Sequence, residues 1–453
     1  MIRIDRNRIR EIRDRIDQLI SRFDTRQRGA VNATLDEWNS ASDSDFVLPI
    51  VDGPPGTGKT TVATTAVAQY LSENPREQVL YMCYTNFAAE QAMRRLLDLG
   101  FDHTQLVRIS SNPSEQRDGV VGFRSEDELR STQRNYLRGV PVLICTLHRA
   151  RIGSKYRRDG TRVIIDEFSQ VNVPIFFATL YRLKDLNPRS FALFGDPYQL
   201  PIVTTQPLLY QNICSYIRGR ISQYDPIGLV TQYRMHETVC SAVNQLRRAL
   251  GTYEIRTADR VRDQDLTSLG YRWIRTNTSP NFWEILDPQY PVVIVNTDHL
   301  QDSNEVRMST SWVNPGEARL AVRLAEEFNR SFIGDGGERL RPMILSPYSA
   351  QVYEIRRLFQ NYLENIGECT TIYRAQGREY PCVILSFVRN NPHGFIGFLQ
   401  EPQLRAQTYV ACSRAQAKLI ILMSFRTFLN AGHVDFDYLY RTPGARIIDR
   451  LSL

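Results

Sequence analysis

Apolar residues fall into two rhythms along the chain. Short unbroken runs at 47–51, 79–83, 140–145, 163–166 and 191–196, then at 291–295, 343–346, 383–388 and 418–423, read as strands buried on both faces. Between them, stretches such as 60–71 and 88–99 return an apolar residue every three or four positions and read as helices. Strand alternating with helix predicts parallel sheets covered by helices, an α/β fold. Ile9, Ile12, Ile16, Leu19 and Phe23 keep the same helical step, so residues 1–25 are expected to form an amphipathic helix docked on the body.

The pattern resets near 205–229, where Tyr224-Asp225-Pro226-Ile227-Gly228 supplies turn residues. Two domains follow, 26–228 and 229–453, as expected for 453 residues, too many for one ordinary core. Two segments are weakly patterned and read as insertions, in the simplest case surface loops. One is 110–138; the other is 258–290, polar but carrying Trp273, Phe282 and Trp283.

Composition changes this picture modestly. Hydrophobic content of 42% and charged content of 23% fit a soluble globular protein. No apolar run approaches the ~20 residues that span a bilayer, so no membrane partner is expected. The net charge of +7 favours a polyanionic partner. Among 56 Lys+Arg, only Lys59, Lys155, Lys184 and Lys418 are lysines. Codon bias accounts for the arginine excess, and against it Lys59 stands out as a place where a compact ammonium is needed.

Cys83, Cys145, Cys214, Cys240, Cys369, Cys382 and Cys412 are scattered, with no C-x-x-C pair. Neither a disulfide framework nor a zinc site is expected. His236 and Cys240, four residues apart, read as helix packing. A reducing intracellular compartment fits, cytoplasmic with the nucleus as an alternative. Asp5, Glu11, Asp14, Asp17 and Asp24 interrupt the arginine-rich start and argue against a transit peptide.

The chemistry begins at Gly53-Pro54-Pro55-Gly56-Thr57-Gly58-Lys59-Thr60, between a predicted strand and a predicted helix. Glycines there let backbone N–H groups turn onto phosphate oxygens at the helix N-terminus. Lys59 would reach the β- and γ-phosphates of ATP, and the Thr60 hydroxyl would help hold Mg²⁺. Asp166 and Glu167 emerge at the end of an apolar run. Asp166 would bind Mg²⁺ through water and Glu167 would take the proton of the attacking water. Lys59 and Asp166 stand much farther apart than the equivalent pair in AAA+ ATPases that share such a loop.

Further stretches follow in order, and together they resemble the Upf1-like branch (SF1B) of the superfamily 1 helicases. Asp166-Glu167-Phe168-Ser169-Gln170 is similar to its DEAxQ motif II. Gly195-Asp196-Pro197-Tyr198-Gln199-Leu200-Pro201 is similar to its GDxxQLPP motif III, with Ile202 where a second proline is common. Gln232-Tyr233-Arg234-Met235, Gln376-Gly377-Arg378-Glu379 and Ser413-Arg414-Ala415 match others. So do Trp312-Val313-Asn314-Pro315-Gly316-Glu317-Ala318, Ser346-Pro347-Tyr348-Ser349-Ala350-Gln351, Val388-Arg389-Asn390-Asn391 and Gly397-Phe398-Leu399. The likeness runs from about Gln27 to Met423. Thr371-Ile372-Tyr373-Arg374-Ala375-Gln376-Gly377 departs from it, since the branch more often has an Asp-Ala-Phe centre. The family's zinc-rich regulatory domain has no counterpart here, 110–138 is too short for its accessory β-barrel, and no nuclease motif is evident.

The resemblance implies two tandem RecA-like domains with ATP in the cleft between them. Gln27 would read the adenine edge and Tyr233 would stack on the base. Glu379, with Gly377 beside it, would contact the ribose side. The phosphate loop and Thr61 would complete the nucleotide site. Gln199 would sense the γ-phosphate, and Arg234 and Arg414 would act as arginine fingers. Thr85, Asn86, Thr146, Pro347, Tyr348, Thr371 and Arg389 would contact a strand, with hydroxyl and amide groups on phosphates and an aromatic on a base. The implied partner is single-stranded nucleic acid, RNA or DNA, with protein partners left open. The expected activity is ATP-driven 5′→3′ movement with unwinding. Its rivals are a remodelling translocase that opens no duplex and an ATP-gated clamp.

Overall fold

The computed structural model describes residues 4–40, 47–115, 117–200, 206, 209, 213–218, 225–359, 368–401, 404–430 and 432–451. The chain divides into two compact units. One comprises Met1–Pro197 with Pro201–Val230, the other Tyr198–Leu200 with Thr231–Leu453.

The first unit runs α1 (Arg6–Ile20), α2 (Thr25–Asn39), β1 (Ile50–Asp52), α3 (Lys59–Glu73), β2 (Val79–Cys83), α4 (Asn86–Asp98), β3 (Leu106–Ser110), β4 (Val120–Gly122), α5 (Ser131–Gly139), β5 (Val142–Thr146), α6 (Ala150–Tyr156), β6 (Arg162–Asp166), α7 (Val173–Arg182), β7 (Phe191–Gly195), α8 (Ile213–Arg218) and β8 (Ile227–Gly228). Its sheet has the order β4-β3-β5-β2-β6-β7-β1-β8, every pairing parallel. The central strands are buried along their length, which explains their unbroken apolar runs.

α1 packs on the body but ends at Ile20, short of the expected 1–25: its Ile12 and Ile16, with Phe23 beyond its end, join Val62 and Ala66 of α3 in one core. α2 follows at once and was not singled out in the sequence, because Gly29, Asn32 and Asp36 dilute its apolar face. It is held by a capping box between Asp24 and Gln27 and by Trp38, whose ring meets Tyr70 edge-on at 5.2 Å. Its end is tied to the body by a buried ion pair between Glu37 and Arg189.

The segment 110–138 is not a loop. It supplies edge strand β4 and most of α5, with Phe123, Leu129 and Leu137 in the core. A three-residue strand is too short to show a period. Strand 47–51 likewise shifts to β1, whose Asp52 interrupts the apolar run. Tyr224, Pro201 and Ile202 lie outside the described residues.

The second unit runs β9 (Thr231–Gln232), α9 (Glu237–Ala249), β10 (Arg256–Thr257), β11 (Tyr271–Trp273), α10 (Trp283–Leu286), β12 (Val292–Asn296), β13 (Val306–Met308), β14 (Ser311–Val313), α11 (Pro315–Ser331), β15 (Phe332–Gly334), β16 (Met343–Ser346), α12 (Ser349–Leu358), β17 (Glu368–Thr371), β18 (Tyr380–Ser386), α13 (Ala406–Cys412), β19 (Ala415–Met423), α14 (Phe425–Phe428), α15 (Val434–Tyr440) and β20 (Arg446–Ile448). Its main sheet, β17-β16-β18-β19-β12-β20, is also parallel throughout.

The segment 258–290 is largely irregular, yet it contributes to the core. Leu266, Phe282, Ile285 and Leu286 are buried, and Trp273 of β11 stacks on Phe332 at 6.2 Å. Lys418, buried in β19, fastens its far end by donating to the carbonyls of Asp287 (2.8 Å) and Tyr290 (2.5 Å). Burial lowers the Lys418 pKa to about 7. A neutral amine has two N–H donors, one for each carbonyl.

Candidate functional site

Parallel register lines up the C-terminal strand ends in the first unit. Thr146 pairs with Cys83, Cys83 with Asp166, and Asp166 with Phe194, while Asp52 pairs with Gly195. Ligands bind at this edge in open α/β sheets. The Gly53 N–H extends the ladder to the Gly195 carbonyl at 2.9 Å, and the chain then turns through Pro54-Pro55 into the phosphate loop. Gly56 and Gly58 are left-handed, at φ 80° and 81°. Gly58 is the N-cap of α3 and offers no side-chain cap, so the first-turn N–H groups point into the loop. A Cβ at Gly53 would overlap the Lys59 side chain.

Lys59 folds back onto its own loop, donating to the carbonyls of Gly53 and, at 3.4 Å, Pro54. The Thr57 hydroxyl donates to the Pro54 carbonyl at 2.7 Å. Gln27 braces the loop from α2: its Nε2 donates to the Thr57 carbonyl at 3.0 Å, and its Oε1 accepts from the Asp24 N–H at 3.1 Å.

Thr60 and Thr61 sit on the first turn of α3. The Thr60 hydroxyl donates to Asp166 Oδ2 at 3.1 Å, and the buried Tyr81 hydroxyl donates to the same oxygen at 2.8 Å. Burial raises the Asp166 pKa, against the pull of Tyr81 and Lys59. A hydroxyl and a carboxylate at contact distance are the hard oxygen donors that Mg²⁺ selects, so these residues fit the ion the sequence implies. Tyr81 was missed because it sits inside an apolar run, where a tyrosine reads as core. Glu167 follows in a left-handed conformation, φ 55° and ψ 33°. Its N–H donates to Asp166 Oδ1 at 2.8 Å, and its Oε2 accepts from the Thr85 hydroxyl at 3.3 Å.

Motif III divides between the units. Asp196 and Pro197 belong to the first, while Tyr198, Gln199 and Leu200 cluster with the second, where Leu200 is buried in the core and Gln199 is half-buried.

Within the second unit, three distant stretches meet. Arg234 forms an ion pair with Glu379 and donates to the Ser413 carbonyl at 3.3 Å. Gln416 donates to Glu379 at 3.2 Å, and the Tyr380 N–H bonds the Arg414 carbonyl at 2.9 Å. Gly377 makes the preceding turn at φ 80°. Arg414 is 2% exposed, donating to the carbonyls of Val410 (2.9 Å) and Arg378 (3.1 Å) and to the Ser413 hydroxyl (2.8 Å). All three of these acceptors belong to the second unit. Arg260 lies over the Tyr233 ring at 4.8 Å, a neighbour no motif indicated.

The strand-contact candidates separate into two kinds. Thr85 and Asn86 sit at the start of α4, Thr146 at the end of β5, Thr371 at the end of β17, and Pro347 just past β16. Asn86 is exposed, and Thr85, Pro347 and Thr371 are half-buried. Tyr348 and Arg389 do not present the groups expected of them. Tyr348 is 3% exposed, with its ring on Phe398 at 4.8 Å, so it offers no face to a base. Arg389 is buried and bidentate to Glu305, at 2.8 Å in both bonds, so its charge is already matched. Its loop is set by buried Glu317, which accepts from Thr297 (2.9 Å), Ser386 (2.6 Å) and the Val388 N–H (2.9 Å), turning Val388 to φ 74°. Burial raises the Glu317 pKa to about 7.

Exposed aromatics include Phe87 beside Asn86, and Phe395, 60% exposed on a loop pinned by Asn391. Phe395 lies between two recognised motifs, which was the available signal. His236 caps α9 by accepting from the Thr238 N–H at 2.9 Å, and Cys240 is buried. Among the described residues, no three His, Cys, Asp or Glu gather into a metal cluster, and no helix is long and apolar enough to cross a membrane.

Two family models, each described as an AAA domain, match residues 39–205 and 209–425. The first takes in the phosphate loop and Asp166-Glu167, the second Gln232–Met235 through Ser413-Arg414. The DNA replication ATP-dependent helicase/nuclease JHS1 of Arabidopsis thaliana is 28% identical over 394 residues, covering 84% of this chain and 27% of that protein. DNA replication ATP-dependent helicase/nuclease DNA2 of Mus musculus is 27% identical over 450 residues, covering 95% and 40%. The Regulator of nonsense transcripts 1 homolog of Neurospora crassa is 25% identical over 424 residues, covering 83% and 35%. The chain thus spans less than half the length of each relative.

Proposed function

We propose that the chain is a member of the Upf1-like branch of the superfamily 1 helicases, that it hydrolyses ATP at its phosphate loop and that it moves 5′→3′ along single-stranded nucleic acid. The observation that carries the reading is the meeting of the Thr60 hydroxyl with Asp166 at 3.1 Å, with Glu167 one residue beyond. Mg²⁺ held by Thr60 and Asp166 would neutralise charge on the transferred phosphoryl group. Glu167 would take a proton from water as its oxygen bonds the γ-phosphorus and the bond to the β,γ-bridging oxygen breaks. Lys59, released from the Gly53 carbonyl, would grip the β- and γ-phosphates. Gln199 would sense the γ-phosphate, Arg234 and Arg414 would act as arginine fingers, and Tyr233 and Glu379 would hold the nucleoside. Thr85, Asn86, Thr146 and Thr371 would hold the strand. The setting would be intracellular; the cysteines found free are all buried.

The test is steady-state ATPase with poly-ribo and poly-deoxyribo oligomers side by side, followed by partial duplexes carrying one 5′ or one 3′ overhang. Stimulation by a single strand and opening confined to 5′ overhangs are expected. ATPase indifferent to every oligomer removes the motor reading, and opening confined to 3′ overhangs reverses the polarity. A remodelling translocase is the second reading, favoured by segment 110–138 folding into the sheet edge instead of a separate module. For that reading the assay is displacement of streptavidin from either strand end.

A further inference from the structure

The two tryptophans of segment 258–290 belong to no motif, and the fold ties both to one residue. Trp273 Nε1 donates to the Thr278 hydroxyl at 3.0 Å, and Trp283 Nε1 donates to the Thr278 carbonyl at 3.1 Å. Thr278 is buried, and its hydroxyl donates on to Ser331, the last residue of α11, at 2.8 Å. Each indole is thus fixed by its polar end, and Trp273 also stacks on Phe332. Arg275, between them in sequence, lies over both rings, 5.7 Å from the Trp273 centroid and 4.3 Å from that of Trp283. It is exposed, and among the described residues its guanidinium enters no ion pair and donates no hydrogen bond. The acids packed around this segment are committed elsewhere, Glu284 to Arg446 and Glu327 to Arg330. A guanidinium stacked on aromatic rings keeps its N–H donors at its edge, oriented and here unspent. Trp283, 36% exposed, adds a surface on which a base can stack.

We propose that Arg275 and Trp283 form an auxiliary single-stranded nucleic-acid site, the guanidinium taking a backbone phosphate through paired N–H bonds and the indole taking a base. This rests on the motor reading above. The place is remote from the strand contacts expected in the second unit, Pro347 and Thr371, at the C-terminal ends of β16 and β17. The first turn of α11 lies at that edge of the sheet, where Glu317 accepts the Val388 N–H beyond β18. α11 has 17 residues, so Ser331 and the Thr278 it holds lie about 25 Å away. At 3.4 Å per nucleotide that span is on the order of seven nucleotides. Only a strand that outruns the motifs by that length reaches both places.

The experiment measures the affinity of the full chain for single-stranded oligonucleotides of graded length by fluorescence anisotropy, together with ATPase kcat at saturating oligonucleotide. Wild type is compared with Trp283→Ala, Trp283→Phe and Arg275→Ala, the last of which leaves both indole anchors in place. Trp283→Ala should lose about tenfold in affinity for long oligonucleotides, the scale of one base stack, and little for short ones. Trp283→Phe should recover most of that loss. Arg275→Ala should lower the log–log salt slope for long oligonucleotides by about 0.7, one phosphate contact. Saturated kcat should hold in all three, which a damaged second unit would not allow. Wild-type affinity for long oligonucleotides in both alanine variants, or equal losses at every length, overturns the auxiliary site and leaves the motor reading intact. Polyglutamate bound by wild type but not by Arg275→Ala, with oligonucleotide affinity unchanged, overturns it in favour of an acidic peptide. Wild type that binds no oligonucleotide defeats the motor reading and the site with it.

Discussion

Replacing Gln27 by alanine tests whether the amide reads the base or only braces the loop. A glutamine amide has two acceptor sites and two donors. In the structure one acceptor site takes the Asp24 N–H and one donor goes to the Thr57 carbonyl. One donor and one acceptor remain. Adenine offers the complement, N7 to accept and the N6 amino group to donate, whereas guanine presents acceptors at both N7 and O6. Two net hydrogen bonds of about 1 kcal/mol each amount to about 2 kcal/mol, or roughly 30-fold in kcat/KM for ATP. GTP forms one of these bonds and faces a repelled acceptor, so Gln27→Ala should cost it much less and bring the ATP/GTP ratio close to one. Losing the reciprocal half of the α2 capping box should also cost about 1 kcal/mol of stability. The assay is kcat/KM for ATP and GTP in wild type and Gln27→Ala, with a melting curve for each. An equal fall for both nucleotides would refute the reasoning, leaving Gln27 as a loop brace alone.

Glu167→Gln should bind ATP yet turn it over at least about 100-fold more slowly, the scale of a lost general base, and near-wild-type turnover would remove Glu167 from that role. Lys418 releases its proton near pH 7 when folded but near 10.5 when unfolded, so between those values the unfolded chain binds one more proton and stability rises with pH. Relative to Lys418→Met, denaturant stability of the wild type should climb by about 1.4 kcal/mol per pH unit above 7 and run parallel below it; a flat difference refutes the buried neutral amine. Glu305→Ala strands the buried Arg389 guanidinium and should destabilise the second unit by about 3 kcal/mol, whereas Arg389→Met should cost strand affinity little if the ion pair is structural. Strand affinity should fall with salt at a log–log slope of about −0.7 per phosphate contact, so a salt-independent affinity would exclude phosphate-led binding.

Local chemistry was legible along the chain wherever the signal was local. Unbroken apolar runs announced β2, β5, β6, β7, β12, β16 and β19, because a strand buried on both faces has no polar alternation to hide it. The phosphate loop was legible because its glycines answer a backbone demand within eight residues. Boundaries were less so. Strand β18 begins earlier than its apolar run, at Tyr380 behind a bulge, and ends before Val388, which Glu317 turns out of the ladder. Strand β4 and helix α2 had no clear period, and each owes its place to the surface it packs against.

The sequence by itself determined that this is an α/β protein with a phosphate loop, two carboxylates at a strand end, and the motif series of one helicase branch. Each of those is a statement about residue type and order. Only the tertiary structure decided which groups are free to act. Tyr348 and Arg389 carry the expected motifs, yet one is core and the other already paired, because burial and ion pairing depend on residues such as Phe398 and Glu305 that are remote in the chain. Arg414 is likewise held by carbonyls of its own unit. The contact between Thr85 and Glu167 spans 82 positions and exists because parallel register sets the ends of β2 and β6 level. Register is set by packing across the whole sheet, and no local stretch of sequence contains it.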